Sequence, residues 1–87
     1  PEQRRQATVL WQALRHARSR VGRTPIPAAR LKKEIARLVA AASQAKLDYV
    51  EFFDPETLAP VARVSRGTHM ALAVWVGKTR LIDNGRL

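Results

Sequence analysis

Two hydrophobic periodicities divide the chain. In residues 2–20, Ala7, Leu10, Leu14 and Ala17 recur at intervals of three and four, and Val21 continues the series. Arg4, Thr8, Gln12, Arg15 and Ser19 take the opposite side. This spacing predicts a helix over 2–20. Pro1 suits a first turn that needs no N–H, and Gly22 is a natural C-terminal stop. Ala28, Leu31, Ile35, Leu38 and Ala42 form a second stripe and predict a helix over 27–43. Ile26 precedes a proline and is pushed out of the α region. Residues 23–26 therefore read as a linker, with Pro27 in the first turn of the helix. Arg30 and Glu34 are four apart and placed to pair.

Beyond Ser43 the period changes. Residues 47–53 are rich in Tyr, Val and Phe and predict a strand. Asp54-Pro55-Glu56-Thr57 has the cap chemistry of a single helical turn. Residues 58–68 read as a loop with a short strand near 61–64, and residues 70–76 as a second strand. Gly77-Lys78 has the glycine-first pattern of a two-residue type II′ hairpin turn. Residues 79–83 return, and Gly85-Arg86-Leu87 reads as a frayed tail. The turn sets the register: Val76 faces Thr79, Val74 faces Leu81 and Leu72 faces Asp83, while Trp75 faces Arg80 and Ala73 faces Ile82. Both sheet faces are then largely apolar, and two helices cover only one. The other face, with Ala71, Ala73, Trp75 and Ile82, is left to the loop 58–68 or to a missing partner. The fold class predicted is α+β: two helices packed on a three-stranded, mainly antiparallel sheet, in one domain over residues 1–87.

Composition narrows the chemistry. There is no cysteine, which removes disulfides, thiolate metal sites and a catalytic thiol. No apolar run approaches the roughly 18 residues of a membrane span, and the N-terminus shows no signal pattern. It also lacks an initiator Met and an N-cap before Pro1, so the chain reads as a piece of something longer. The net charge is +9, and its distribution is uneven. Residues 1–47 carry eleven basic and two acidic side chains, and residues 48–87 carry five of each. Nucleic acid, a phosphorylated ligand or an acidic surface would be drawn to the first half.

No catalytic constellation emerges. His16 and His69 lie in different elements, without a second ligand at helix spacing, and read as surface or hydrogen-bonded histidines. Ser65-Arg66-Gly67-Thr68 could meet a phosphate but lacks the phosphate-loop spacing, and reads as a plain loop. Asp54 is explained as a cap, which leaves Glu56 without a catalytic pair. Asp83 needs a backbone or Arg partner at the sheet end. Trp75 and Arg80 are placed for a cation–π contact. Lys78 projects from the hairpin tip. Two basic helices suggest a helix-turn-helix, but the proline-flanked linker is not a tight turn and the arginines spread around both helices. A solvated charged face is the simpler reading, and a small basic nucleic-acid-binding module stands as the alternative.

Two stretches add a resemblance. Lys46-Leu47-Asp48-Tyr49-Val50-Glu51 with Asp54-Pro55-Glu56-Thr57-Leu58 resembles the first strand and turn of the C-terminal domain in the pantothenate synthetase family. Gly77-Lys78-Thr79-Arg80-Leu81-Ile82-Asp83-Asn84 resembles that family's closing hairpin, and Pro1-Glu2-Gln3-Arg4 is similar to the residues after its Ser-Ser-Arg-Asn segment. The likeness extends over roughly residues 1–84, with the strong motifs in about a quarter of the chain. Phe52-Phe53 departs from it where small aliphatic residues are usual, and Trp75 and His69 are bulkier or more polar than the resemblance implies. The resemblance implies a cytoplasmic ATP- and Mg²⁺-dependent, AMP-forming ligase that joins pantoate to β-alanine through a pantoyl adenylate. It implies a homodimeric parent in which this chain is the lid over an N-terminal Rossmann-like domain. The family's catalytic motifs belong to that other domain, so no catalytic, nucleotide-binding or metal-ligating residue carries over, and the chain alone is expected to be inactive. A basic lid suits a triphosphate and its leaving pyrophosphate, which makes Lys78 and Arg80 the phosphate-facing candidates.

Overall fold

The computed structural model describes residues 2–22, 24–42 and 44–87, and only the backbone of residues 2–7. Those parts of the expectations that rest on Pro1, Arg23 and Ser43, or on the side chains of Arg4 and Ala7, lie outside the described residues. Helix α1 spans Glu2–Arg20. It buries Val9, Leu10, Ala13, Leu14 and Ala17, with Val21 just beyond its end. Val9 and Ala13 widen the inward stripe beyond the one read from spacing, as a helix needs when it packs on two neighbours at once.

Helix α2 spans Ala28–Ala40 and buries Ala28, Leu31, Ile35 and Val39. It starts one residue later and ends three earlier than 27–43. The late start has a tertiary cause. Ile26–Pro27 forms a short strand, β1, paired antiparallel with Arg63–Val64, β3. Pro27 holds an extended ψ of 132°, and the Ala28 N–H donates to the Ala62 carbonyl at 2.8 Å. Ile26 is therefore a buried strand residue, not part of a linker. At the other end Ala41 caps the helix, and Gln44 takes a left-handed φ of 67° that turns the chain into the sheet.

That sheet consists of β2 (Ala45–Phe53), β4 (His69–Val76) and β5 (Thr79–Arg86), ordered β2-β4-β5 and antiparallel throughout. The inner face of central β4 gives Met70, Leu72 and Val74, all fully buried, and β2 adds Val50 and Phe52. Helix α1 packs on β4 and β5, and α2 packs on β2. The hairpin has the register expected from its two-residue turn, and Gly77 holds a φ of 60°, which glycine adopts without Cβ strain. Strand β2 contains a bulge: Leu47 opposes Val74 and Tyr49 opposes Ala73, which leaves Asp48 as the extra residue.

Strand β5 continues three residues past Asp83, so the expected frayed tail is ordered. Gly85 opposes Met70 and Arg86 opposes His69. Leu87 donates to the Thr68 carbonyl at 2.9 Å, and Arg18 Nε donates to the Arg86 carbonyl at 3.1 Å. The cause is that β4 begins at His69 and offers partners along its full length. The Asp54 carboxylate accepts the N–H groups of Glu56 and Thr57 at 2.8 and 3.1 Å, closing a single turn. The following loop runs back along β2 and sends Val61 and Val64 into the core. It does not cover the outer sheet face, where Trp75 remains 39% and Ile82 56% exposed.

Candidate functional site

The hairpin end of the sheet gathers the chain's candidate cations. Lys46, Trp75 and Arg80 form one row across the three strands. Lys78 sits exposed in the adjoining turn. Arg80 does not pair with Trp75 as its register suggests. Its Nε and Nη2 both lie 2.9 Å from Asp48 Oδ2, and its guanidinium stands 5.7 Å from the Tyr49 ring centroid. Because β4 lies between β5 and β2, this side chain must cross the outer face of β4. Ala73, opposite Tyr49 and Ile82 in the register, is fully buried there. The bulge lets the successive residues Asp48 and Tyr49 both grip one guanidinium. A charge-assisted bond to a carboxylate outweighs a partly exposed ring contact. Arg80 is thus a strap between the two edge strands, while Lys46 and Lys78 have no carboxylate partner among the described residues.

A second cluster joins the helices. His16 Nε2 lies 2.7 Å from Glu34 Oε1, and Arg20 donates Nε and Nη2 to the two Glu34 oxygens at 2.9 and 3.1 Å. Glu34 thus pairs across the helix interface and not with Arg30. The His16 hydrogen bond, opposed by burial and reinforced by Arg20, holds the Glu34 carboxyl below the usual carboxylate range. Its folded value lies below its unfolded value, so its stabilisation is fully present above the unfolded value. It is lost as pH falls through the folded one. Glu34→Gln is expected to lower unfolding free energy by about 0.5–1 kcal/mol at neutral pH. Urea titrations should show that difference shrinking toward pH 3; a pH-independent difference would contradict the ionic origin.

The remaining candidates have structural partners. His69 Nε2 lies 3.5 Å from Asn84 Oδ1, and its ring stacks on Phe53 with centroids 5.1 Å apart. The Thr68 hydroxyl accepts the Ser65 N–H at 3.1 Å, so the Ser65–Thr68 turn is closed on itself. Asp83 accepts the Asn84 N–H at 2.8 Å. Among the described residues no group of three His, Cys, Asp or Glu could hold a metal, and no helix is long and apolar enough to cross a membrane. One open depression, about 370 Å³, is lined by Trp11, Gln12, Arg15, His16 and Ser19, all from α1. Residue spacing missed the Asp48–Arg80 strap and the Glu34 clamp. The strap had one sign: Leu47-Asp48-Tyr49-Val50 breaks strict alternation, as a bulge does.

Residues 1–86 match the family profile described as pantoate-beta-alanine ligase. The chain belongs to that family. It is 51% identical over 88 residues to the pantothenate synthetase of Anaeromyxobacter dehalogenans, covering 100% of this chain and 30% of the relative. The pantothenate synthetase of Thermotoga neapolitana is 40% identical over 84 residues, covering 97% of this chain and 30% of the relative. The crystal structure of pantothenate synthetase from Thermus thermophilus superposes with a TM-score of 0.80 at 30% identity, over 99% of this chain and 31% of that one. The chain thus spans about 30% of the length of the curated relatives it matches. Its α+β arrangement of helices and antiparallel sheet is shared with the pantoate-beta-alanine ligase family. These matches lend nothing to the nucleic-acid alternative. The β1 insertion between the helices also removes the tight turn of a helix-turn-helix.

Proposed function

We propose that the chain is the C-terminal lid domain of a cytoplasmic, homodimeric ligase that condenses pantoate with β-alanine at the expense of ATP. The observation that carries this is the family match across residues 1–86 with relatives more than three times as long. In the proposed reaction the pantoate carboxylate attacks the α-phosphorus of ATP and pyrophosphate leaves. The β-alanine amine then attacks the acyl carbon, and AMP departs. An acyl adenylate is open to hydrolysis, so a domain that excludes water keeps the two halves of the reaction coupled. ATP and Mg²⁺ are assigned to the N-terminal Rossmann-like domain, and this chain alone is inactive.

This chain's part is electrostatic. Lys78 in the hairpin turn, with Arg80 held by Asp48 and Lys46 in the same row as Arg80, suits the negative charge of the triphosphate and of the leaving pyrophosphate. Arg80 keeps guanidinium N–H groups beyond the two that Asp48 takes. The test uses the full-length parent with pantoate, β-alanine, ATP and Mg²⁺, measuring AMP and pantothenate together. Both should form one for one, and deleting the segment that corresponds to residues 1–87 should abolish pantothenate. Absence of product from a folded parent would sink the ligase reading. Replacing Lys78 and Arg80 with glutamine should raise KM for ATP about tenfold, the worth of one charge-assisted hydrogen bond. An unchanged KM removes the phosphate role from both.

A further inference from the structure

Between the end of α1 and the start of α2 lies a small cleft of about 180 Å³, lined by Arg20, Thr24, Pro25, Ile26, Pro27 and Arg30. That volume is below the roughly 300–1,000 Å³ of a pocket for a drug-sized molecule, so a whole nucleotide does not fit within it. Its two charged side chains are both arginines, and no carboxylate lines it. The first turn of α2 brings no acidic residue either. Arg20 is braced: Glu34 takes its Nε and Nη2 groups at 2.9 and 3.1 Å, which leaves it further N–H donors. Arg30 and the Thr24 hydroxyl have no hydrogen-bond or ion-pair partner among the described residues. The cleft wall is stiff, because Ile26 and Pro27 pair with Val64 and Arg63, and two prolines restrict the connection. Lys33 and Arg37 are exposed on the same helix but line neither this cleft nor the depression on α1. What separates Arg30 from them is a second guanidinium, held in place, that lines the same small space.

We propose that this cleft binds a small phosphate-type dianion, either inorganic phosphate or the single phosphoryl group of a small metabolite. Arg20 and Arg30 supply charge-assisted donors, and Thr24 adds a hydroxyl. A bound dianion also relieves the repulsion between two guanidiniums that line one space. The site is separate from the cations of the hairpin. The Gly77 N–H donates to the Gln44 carbonyl at 3.3 Å, which puts the Lys78 turn beyond the C-terminal end of α2. The cleft lies at the other end of that helix, and 13 residues of helix are about 20 Å long. The inference goes beyond the ligase reading and does not rest on it.

Labelling of the full-length parent with phenylglyoxal, which modifies exposed guanidiniums, tests this, with each labelled arginine located by mass spectrometry. Inorganic phosphate at a few millimolar is expected to slow labelling of Arg30 several-fold, while Arg15 and Arg37 label as before. Chloride at matched ionic strength should protect none of them. Thr24→Val, at an exposed position outside the core, should raise the half-protecting phosphate concentration several-fold, and Arg20→Gln should raise it further. Glycerol phosphate protecting at least as well as inorganic phosphate supports a phosphoryl monoester as the ligand; protection by inorganic phosphate alone supports the free ion. Arg30 labelling that phosphate does not slow overturns the inference. Equal protection of Arg30 and Arg37, or protection by chloride, shows general screening and overturns it too. So does a half-protecting concentration unchanged in both variants. Arg30 that resists labelling without phosphate means that the rest of the parent fills the cleft, which also overturns it. The readout is labelling alone, so a parent that makes no pantothenate fails the ligase reading and leaves this result standing.

Discussion

Truncation of Phe52 to alanine is expected to cost the domain about 3–5 kcal/mol, the range for emptying a fully buried aromatic site. Phe52 heads the fully buried side chains by volume, on the inner face of β2 opposite Met70. Its carbonyl also accepts the Val61 N–H at 3.1 Å, which ties the long loop to the sheet edge. A domain of this length has only about 5–10 kcal/mol in total. The variant should therefore sit near the edge of unfolding at 25 °C, read as a large drop in the denaturant midpoint. Phe52→Leu, which keeps most of the volume, should lose about 1–2 kcal/mol and remain folded. Near-equal losses for the two would contradict a packing origin. Phe53, one residue on, points to the other face and stacks with His69, its partner in the register. Phe53 and His69 thus pack against each other across the outer face of the sheet.

Gly85→Val should be the second large effect, about 1–3 kcal/mol through overpacking. A Cβ at Gly85 would stand 3.0 Å from Leu14 Cδ2 and 3.2 Å from Arg18 Nη2, where α1 crosses β5. Leu14 is buried and has little room to yield. The expected strain would push the C-terminal end of β5 away from the helix. It would weaken the Leu87–Thr68 hydrogen bond, so faster amide exchange at Leu87 should accompany the lower midpoint. Gly22→Ala is the control: a Cβ there meets nothing within 4 Å, and the change should be within about 0.5 kcal/mol. A Gly85→Val midpoint no lower than that of Gly22→Ala would show that the helix tolerates a side chain beneath it.

Interactions spanning a few residues were legible in the chain itself. The three-and-four spacing places Leu10, Leu14 and Ala17 on the inner side of α1, because helix geometry repeats locally. Gly77-Lys78 determines the β4–β5 register because a two-residue turn leaves no slack. Asp54 captures N–H groups only two and three residues away. The resemblance located the family through motifs in β2 and the closing hairpin, although no residue spacing could have done so. Tertiary structure decided everything that joins distant segments. Ile26 became a strand because Val64 arrived beside it, and the last residues became ordered because β4 extends to His69. Glu34 left its near neighbour Arg30 for His16 and Arg20, eighteen and fourteen residues away, because α1 lies against α2. Arg80 left the facing Trp75 for Asp48, thirty-two residues away, because a bulge turned that carboxylate onto its face. A side chain bonds the strongest partner within reach, and for charged groups that reach is set by how the elements pack, which local spacing does not encode.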